Sequence, residues 1–461
     1  MLRSRFTLFY ASSRKKHTSI AESYEGQSLL ITGSTGFVGK VLLEKLLYQC
    51  PKIDKVYLLV REKKNIKPHQ RISKMLDEPV FSRLIKEKPQ MLDKIVPIAG
   101  DISSPDLAMK TQDQQLLINK VSMVFHSAAS VLFDDPLDVA MNINFGGTER
   151  VLNLCLRMKT IKSFLHVSTA YCNTDKPIIE EIVYPVPASL DKVNELLAKG
   201  HVNKDEVKKL LNKQPNTYAF AKALAENLVL ERHGNIPTTI IRPTIVSGSK
   251  NEPVIGWVDN WFGSTGHMAL TLLGINRVVL GNPNNILDII PVDYVANLII
   301  VAAATNTNCK DVKVYNCSTS KVNPISLYQL KNLTIEDSKR NKANVVPFPS
   351  LHFTTSKWVQ SLIILISNTL PAYFMDTMLI LQGKTPRYRD FFSKVSRQRN
   401  VLDYFTFNTW EICSSKTRAL AASLSPADKQ NFPFDPIDID WKTYVANYCK
   451  GIRQYMLKRQ K

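Results

Sequence analysis

The chain is expected to fold as an α/β protein, a doubly wound parallel sheet followed by a mostly helical C-terminal domain. Short apolar runs alternate with segments of helical spacing through the first two thirds of the sequence, the pattern of strands joined by crossover helices. The first run, Leu29–Thr32, stops at three glycines spaced G-x-x-G-x-x-G (Gly33, Gly36, Gly39) and passes directly into helix. The 461 residues, 44% apolar and 22% charged, suffice for a full core and more than one lobe, and they exclude a wholly disordered chain.

Strand, glycine turn and helix together predict a Rossmann-type dinucleotide site. Glycines let backbone approach a pyrophosphate, and a helix N-terminus offers free N–H groups and a positive dipole. Gly33, Thr35, Gly36, Phe37, Val38 and Gly39 are the candidate contacts there. A second strand, Val56–Val60, ends at Arg61 with Lys63 and Lys64 behind it. A basic residue at this place suits the 2′-phosphate of NADP, where an acid would hold the ribose hydroxyl of NAD. The expected cofactor is therefore NADPH. Residues 62–94 are charged and helical in composition. A third strand, Ile95–Ala99, leads to Asp101 and Ile102, where an aspartate can accept from an adenine amino group. The fourth, Met123–His126, runs into Ser127-Ala128-Ala129, small enough to leave cofactor room at Ala128, and Asn144 opens a later helix as a further candidate contact. Phe164–Val167 reads as a fifth strand, Thr239–Pro243 as a sixth and Lys313–Asn316 as a late one.

The fifth strand ends in Ser168-Thr169, and a helical stretch downstream carries Tyr218 and Lys222. Four residues apart, those two side chains share a helix face. A phenol with a pKa of roughly 10 is a poor proton donor or acceptor near neutrality, and an ammonium one turn away is expected to bring it toward the working range. A strand-end hydroxyl, Thr169 with Ser168 as the substitute, can hold a carbonyl oxygen on which negative charge develops. Spacing alone supports NADP-linked carbonyl chemistry.

With these motifs in order the chain resembles the extended short-chain dehydrogenase/reductases and, more narrowly, the alcohol-forming fatty acyl-CoA reductases, from about residue 19 to the end. The resemblance rests on Thr32–Leu47, His166–Tyr171, Asn216–Glu226, Ile241–Val246, Gly256–Asn260 and Ile290–Asp293, and near the end on Ile439–Tyr444 and Gly451–Arg453. It implies Thr169, Tyr218 and Lys222 as the catalytic set. It also implies a long-chain fatty acyl-CoA substrate reduced in two steps to a primary alcohol, in wax, ether-lipid or cuticular-type lipid metabolism. The chain departs from the pattern in its extension 1–18 and in carrying no membrane-spanning segment at its C-terminus. Rival readings are another extended enzyme of this class, such as a hydroxysteroid dehydrogenase or nucleotide-sugar epimerase, and a non-catalytic NADP-binding regulator.

The remaining features concern organisation. Residues 1–18 form a basic extension without an acid, similar to a mitochondrial transit peptide. Residues 19–340 are read as the NADP-binding domain with its substrate part, and 351–461 as the helical domain, with the boundary within 335–350. An insertion at 175–214 is either a lid or a surface helix. Trp257 and Trp261 either line an acyl groove or belong to the core. The seven cysteines form no C-x-x-C, and no metal site is expected.

The formal charge is +20. It concentrates at the N-terminus and in residues 384–399, where six basic residues face only Asp390. No nucleic-acid module accompanies it, so the expected partner is an anionic membrane surface or a phosphate-rich substrate. The most apolar stretch is Trp358–Leu381. Helix up to Pro371 covers about 20 Å against a hydrocarbon core of about 30 Å. Continuing through the proline brings in Asp376, at roughly 2.5–3.5 kcal/mol if central. A shallow helix pair touching the membrane, or a helical cap on the sheet lobe, is the expectation. Endoplasmic reticulum or peroxisome follows from the resemblance, and mitochondrion from the basic extension.

Overall fold

The computed structural model describes residues 18–200, 203–342 and 350–457; of the expected transit-peptide stretch 1–18, residues 1–17 lie outside the described residues. Seven parallel strands form the central sheet: β1 (Leu29–Thr32), β2 (Val56–Val60), β3 (Ile95–Ala99), β4 (Met123–His126), β5 (Ser163–Val167), β6 (Thr238–Pro243) and β7 (Lys313–Cys317). Their spatial order is β7-β6-β5-β4-β1-β2-β3, with Leu29 opposite both Val56 and Met123. Chain order reverses at β1, so a crevice opens beyond its carboxyl end, between β1 and β4.

Both faces of the sheet are covered, which is why the strands read as continuous apolar runs. Side chains alternate across β1: Leu29 and Ile31 enter one core with helix α1 (Phe37–Gln49), whereas Leu30 enters another with Tyr57, Val124 and Phe164. Helix α2 (Thr217–Arg232) carries the Tyr–Lys pair and packs on a third cluster, where Phe220, Ala221 and Leu224 meet Val193 and Leu196 of the 175–214 insertion. The insertion thus braces α2 from behind. Its Glu181 carboxylate accepts from the Asn316 and Thr417 backbone N–H groups at 3.2 and 3.0 Å, joining insertion, sheet and C-terminal residues.

Helix α3 (Val292–Thr305) is buried along nearly its whole length and packs against α1 and the sheet. Trp257 is 1% exposed, its ring 5.3 Å from that of Phe37, and Trp261 packs against the same cluster. The core reading of these tryptophans wins, because the chain on either side of Trp257 folds under α1.

A helix runs over Leu327–Arg340, into the stretch where sequence placed a boundary. Beyond it, helix α4 spans Lys357–Leu381 and helix α5 spans Tyr388–Phe407. Here the structure corrects the expectation of a helix pair broken at Pro371. Proline has no N–H to give, and the helix passes it by widening to a π turn over Leu365–Thr369, where the Leu370 N–H reaches Leu365 O. Asp376, a cost when counted against a membrane span, is 2% exposed and satisfied: its carboxylate accepts from the backbone N–H groups of Arg387, Tyr388 and Arg389 at 2.8–2.9 Å.

Helix α6 (Trp441–Gly451) docks on the sheet lobe. Tyr444 Oη donates to Gly248 O at 2.7 Å, and Tyr448 Oη lies 2.6 Å from Thr265 Oγ1. A Cβ on Gly451 would lie 1.7 Å from Gly256 O, so only glycine permits this approach.

Candidate active site

The glycine turn follows β1 into the crevice. Gly33 has φ +75°, and a Cβ there would lie 2.7 Å from Ala128 N, so turn and β4 loop touch backbone to backbone. A Cβ on Gly39 would lie 2.2 Å from Gly33 O, which is how α1 comes down onto the turn. Gly36 caps α1 without a side-chain bond, and no acid stands in the first turn. Ser34 Oγ is buried there with no partner among the described residues. Free N–H groups, an orphaned hydroxyl and a helix dipole without a compensating carboxylate fit a pyrophosphate. Ser34 was not among the side chains expected from sequence, although it stands inside the motif. Thr35, which was, turns its hydroxyl to accept from Arg71 Nη2 at 3.3 Å. Phe37 packs on Trp257, and the partly buried Val38 lies against the same core.

At the end of β2, Arg61 is half exposed with Asp101 3.8 Å away. Asp101 Oδ1 accepts from the Ser103 N–H and hydroxyl at 2.9 and 2.7 Å, while Oδ2 is the atom nearest Arg61. Arg71, on the helix Pro68–Leu76, donates to Arg61 O at 2.6 Å. Burial first, and the like charge of Arg61 second, hold its pKa below the usual arginine value. The Arg71 guanidinium therefore stands between the turn and the end of β2, near the charge of Arg61. Arg71 was missed in the sequence because only the fold brings its helix back over the loop.

A chain of directed hydrogen bonds holds the other wall. Ala128 N–H donates to Thr32 Oγ1 at 3.1 Å, leaving that hydroxyl to donate to His126 Nδ1 at 2.8 Å. Thr148 Oγ1 donates to Asn144 O at 2.7 Å and accepts from His126 Nε2 at 3.1 Å. The bonds define one tautomer of a neutral imidazole, and burial with the nearby Lys222 charge lowers its pKa to about 3. Asn144 in turn brackets the loop, accepting from Ser130 N and donating to Ser130 O. Ile102 packs on Gly147, its Cδ1 3.0 Å from where a Cβ would stand, and its carbonyl accepts from Arg150.

Thr169, Tyr218 and Lys222 converge at the carboxyl end of β5. Tyr171 N–H donates to Thr169 Oγ1 at 3.2 Å, and the threonine side chain lies beside the Tyr218 phenol. Lys222 Nζ donates to Val167 O at 2.8 Å, which leaves two of its three donors. Ser168 points elsewhere, 3.8 Å from Cys172 Sγ, toward the buried Glu226–Arg242 ion pair. Electrostatics differ from the expected lysine-lowered phenol. Burial pushes the Tyr218 phenol up and only the Thr169 bond opposes it, while burial lowers Lys222 to about 8. Burial is the largest cause of both shifts. Burial thus favours the protonated form of the Tyr218 phenol.

Over the phenol lies an aromatic stack unforeseen from sequence. The Phe133 ring is 5.5 Å from Tyr218 and 5.6 Å from Phe405 of α5, and Phe405 stands edge-on to Tyr171 at 4.8 Å. The C-terminal residues therefore roof Tyr218 with apolar surface.

Two family profiles, both described as male sterility protein, match the chain: an NAD-binding one over residues 31–299 and a second over 367–459. Fatty acyl-CoA reductase 1 of Xenopus laevis is 38% identical over 96% of this chain and 87% of its own length. The human fatty acyl-CoA reductase 1 is 36% identical over the same shares. The chain belongs to the fatty acyl-CoA reductase family. Fatty acyl-CoA reductase 2 of Mus musculus, at 32% identity, covers 95% of this chain. Among solved structures, the terminal R domain of the myxalamid PKS-NRPS pathway has a TM-score of 0.65 at 20% identity, covering 94% of this chain and 92% of its own. The UDP-glucuronic acid 4-epimerase of Bacillus cereus, solved with NAD, has 0.53 at 16%, covering 94% and 98%. These two share the fold.

Proposed function

We propose that the protein reduces long- or very-long-chain fatty acyl-CoA to the primary alcohol, with NADPH as reductant and release of CoA. The observation that carries this reading is the gathering of Thr169, Tyr218 and Lys222 at the end of β5, under an apolar roof. The family's named relatives supply the acyl-CoA. The cofactor supplies hydride, twice per acyl group. As negative charge grows on the carbonyl oxygen, the Thr169 and Tyr218 hydroxyls donate to it. When the aldehyde is reduced, Tyr218 passes its proton to that oxygen. With the cofactor bound, Lys222 would have two donors left for the nicotinamide ribose beyond the one given to Val167 O, and its positive charge would favour the phenol as that group loses its proton.

Ser34 and the α1 N-terminus are proposed to hold the pyrophosphate, and Arg61 with Arg71 the 2′-phosphate. The Arg71 guanidinium at the turn, with Arg61 at the end of β2, supports NADPH over NADH. Arg71→Ala is expected to raise the KM for NADPH by roughly 10-fold or more while leaving that for NADH nearly unchanged, since a hydrogen bond to a charged group contributes about 1.5–3 kcal/mol. Steady-state kinetics with both cofactors checks this.

We also propose a division into a basic extension (1–18), a cofactor and substrate domain (19–340) and a helical domain (351–461). The protein is read as working at a membrane surface of the endoplasmic reticulum or peroxisome.

The test is NADPH oxidation with palmitoyl- to very-long-chain acyl-CoA, products resolved by gas chromatography. Fatty alcohol at two NADPH per acyl-CoA is expected, with kcat lower by about 10²–10⁴ in Tyr218→Phe. Aldehyde alone at one NADPH removes the alcohol-forming claim. Turnover of sterols or UDP-sugars, with none of acyl-CoA, favours the rival short-chain enzymes.

A further inference from the structure

Helix α4 is built inside out for a protein in water. A surface helix ordinarily turns its apolar stripe inward and its polar face to solvent. Along α4 the buried residues include Gln360, Asn368 and Asp376, spaced by eight, at 6%, 3% and 2% exposure. The large apolar residues face outward: Trp358 is 87% exposed, Leu362 57%, Ile366 60%, Phe374 65% and Leu381 75%.

Each buried polar residue meets α5 in turn. Gln360 donates to the Asp403 carboxylate at 3.2 and 3.3 Å. With the Asn368 amide oriented to suit its neighbours, its oxygen accepts from Arg399 Nη2 at 3.1 Å. Asp376 caps the N-terminus of α5. The two helices are therefore zipped antiparallel by polar contacts, and what remains outside is apolar.

Both ends of this hairpin are tied to one place. His352–Thr354, just before α4, pairs with Val278–Leu280, and Thr406 at the end of α5 donates to Leu280 O at 2.7 Å. The exposed basic residues Lys384, Arg387, Arg389, Lys394 and Arg397 lie in the turn and along α5. An apolar face of this extent marks an interaction surface, and its flanking charge selects the partner. A second copy would set the same cations opposite themselves, whereas an anionic lipid leaflet complements them.

We propose that the outward face of α4 lies in one leaflet of an anionic bilayer, parallel to the membrane plane, as a monotopic docking surface with the α5 cations among the headgroups. This specifies the membrane-surface reading given above and rests on it. The helix, 25 residues long, has the length to cross, but crossing would drag its polar zipper and the α5 arginines into hydrocarbon. Lying flat buries the apolar face and leaves those contacts untouched. The same α5 then carries Phe405 to the roof over Tyr218, so lipid surface and reaction site share one rigid element.

The test uses the full chain and phosphatidylcholine vesicles with and without phosphatidylserine, in flotation. The wild type is expected to float with the anionic vesicles, and the triple variant Leu362→Ser, Ile366→Ser, Phe374→Ser to lose at least tenfold in bound fraction while its unfolding midpoint stays in place. In a Trp358→Phe background, Ile366→Trp reports depth from the middle of α4. Its fluorescence is expected to be quenched most by lipids brominated near the headgroup. Strongest quenching by bromines at the chain ends would mean a crossing helix and overturn the proposal. Equal flotation of wild type and triple variant would do the same. So would a wild type that fails to float and is a dimer by light scattering, made monomeric by the triple variant. None of these readouts needs NADPH or acyl-CoA, so their failure leaves the reductase reading standing. A protein that binds vesicles but reduces no acyl-CoA overturns only the latter.

Discussion

Helices α3 and α4 have the same kind of composition and opposite surroundings. Val292–Thr305 is apolar and buried from Val292 to Ala304, with the Tyr24 hydroxyl donating to its Ile300 carbonyl at 2.7 Å. Lys357–Leu381 is apolar and turns most of that surface outward, keeping inside a few polar groups that α5 satisfies. In α3 apolarity is consumed by the core, and in α4 it is left over. An apolar helix is thus a statement about how much surface must avoid water, while its neighbours decide what covers it.

Stability measurements can break or sharpen this contrast. The largest effect is expected in α3: Leu298→Ala, at a fully buried site, should cost about 2–5 kcal/mol in urea unfolding. A much smaller loss would mean that α3 is not the core element described. An intermediate effect is expected where α4 meets α5. Asp376→Ala leaves the backbone N–H groups of Arg387, Tyr388 and Arg389 without their acceptor. A loss of about 1–3 kcal/mol should be accompanied by faster amide exchange at those three residues. The smallest belongs to the outer face of α4, where Ile366→Ser should change stability by no more than about 0.5 kcal/mol. A cost comparable to that of Leu298→Ala would show that the face is covered within the folded protein.

Much of the sheet lobe was legible in the sequence because its signals are local. Apolar runs such as Val56–Val60 and Met123–His126 are strands buried on both faces, and Gly33, Gly36 and Gly39 stand where backbone meets backbone. The one-turn spacing of Tyr218 and Lys222 is helical geometry and needs no tertiary information. What escaped depends on pieces far apart in the chain. Arg71 reaches the glycine turn only after its helix folds back, and Phe405 arrives over Tyr218 from another lobe. Nor could spacing tell that Ser168 turns its hydroxyl toward Cys172 while Thr169 stays beside Tyr218 at the end of β5.

The sequence by itself determined the parallel sheet, the glycine turn, the Tyr–Lys helix and the presence of a long apolar segment near residue 370. Each is written in periodicities of a few residues, where backbone geometry alone dictates which side chains share a face. Tertiary structure alone decided that burial raises the Tyr218 phenol, that helix passes through Pro371, and that Asp376 has a helix N-terminus to cap. Desolvation and polar satisfaction are properties of what surrounds a group, and those surroundings are assembled from segments that sequence spacing does not connect.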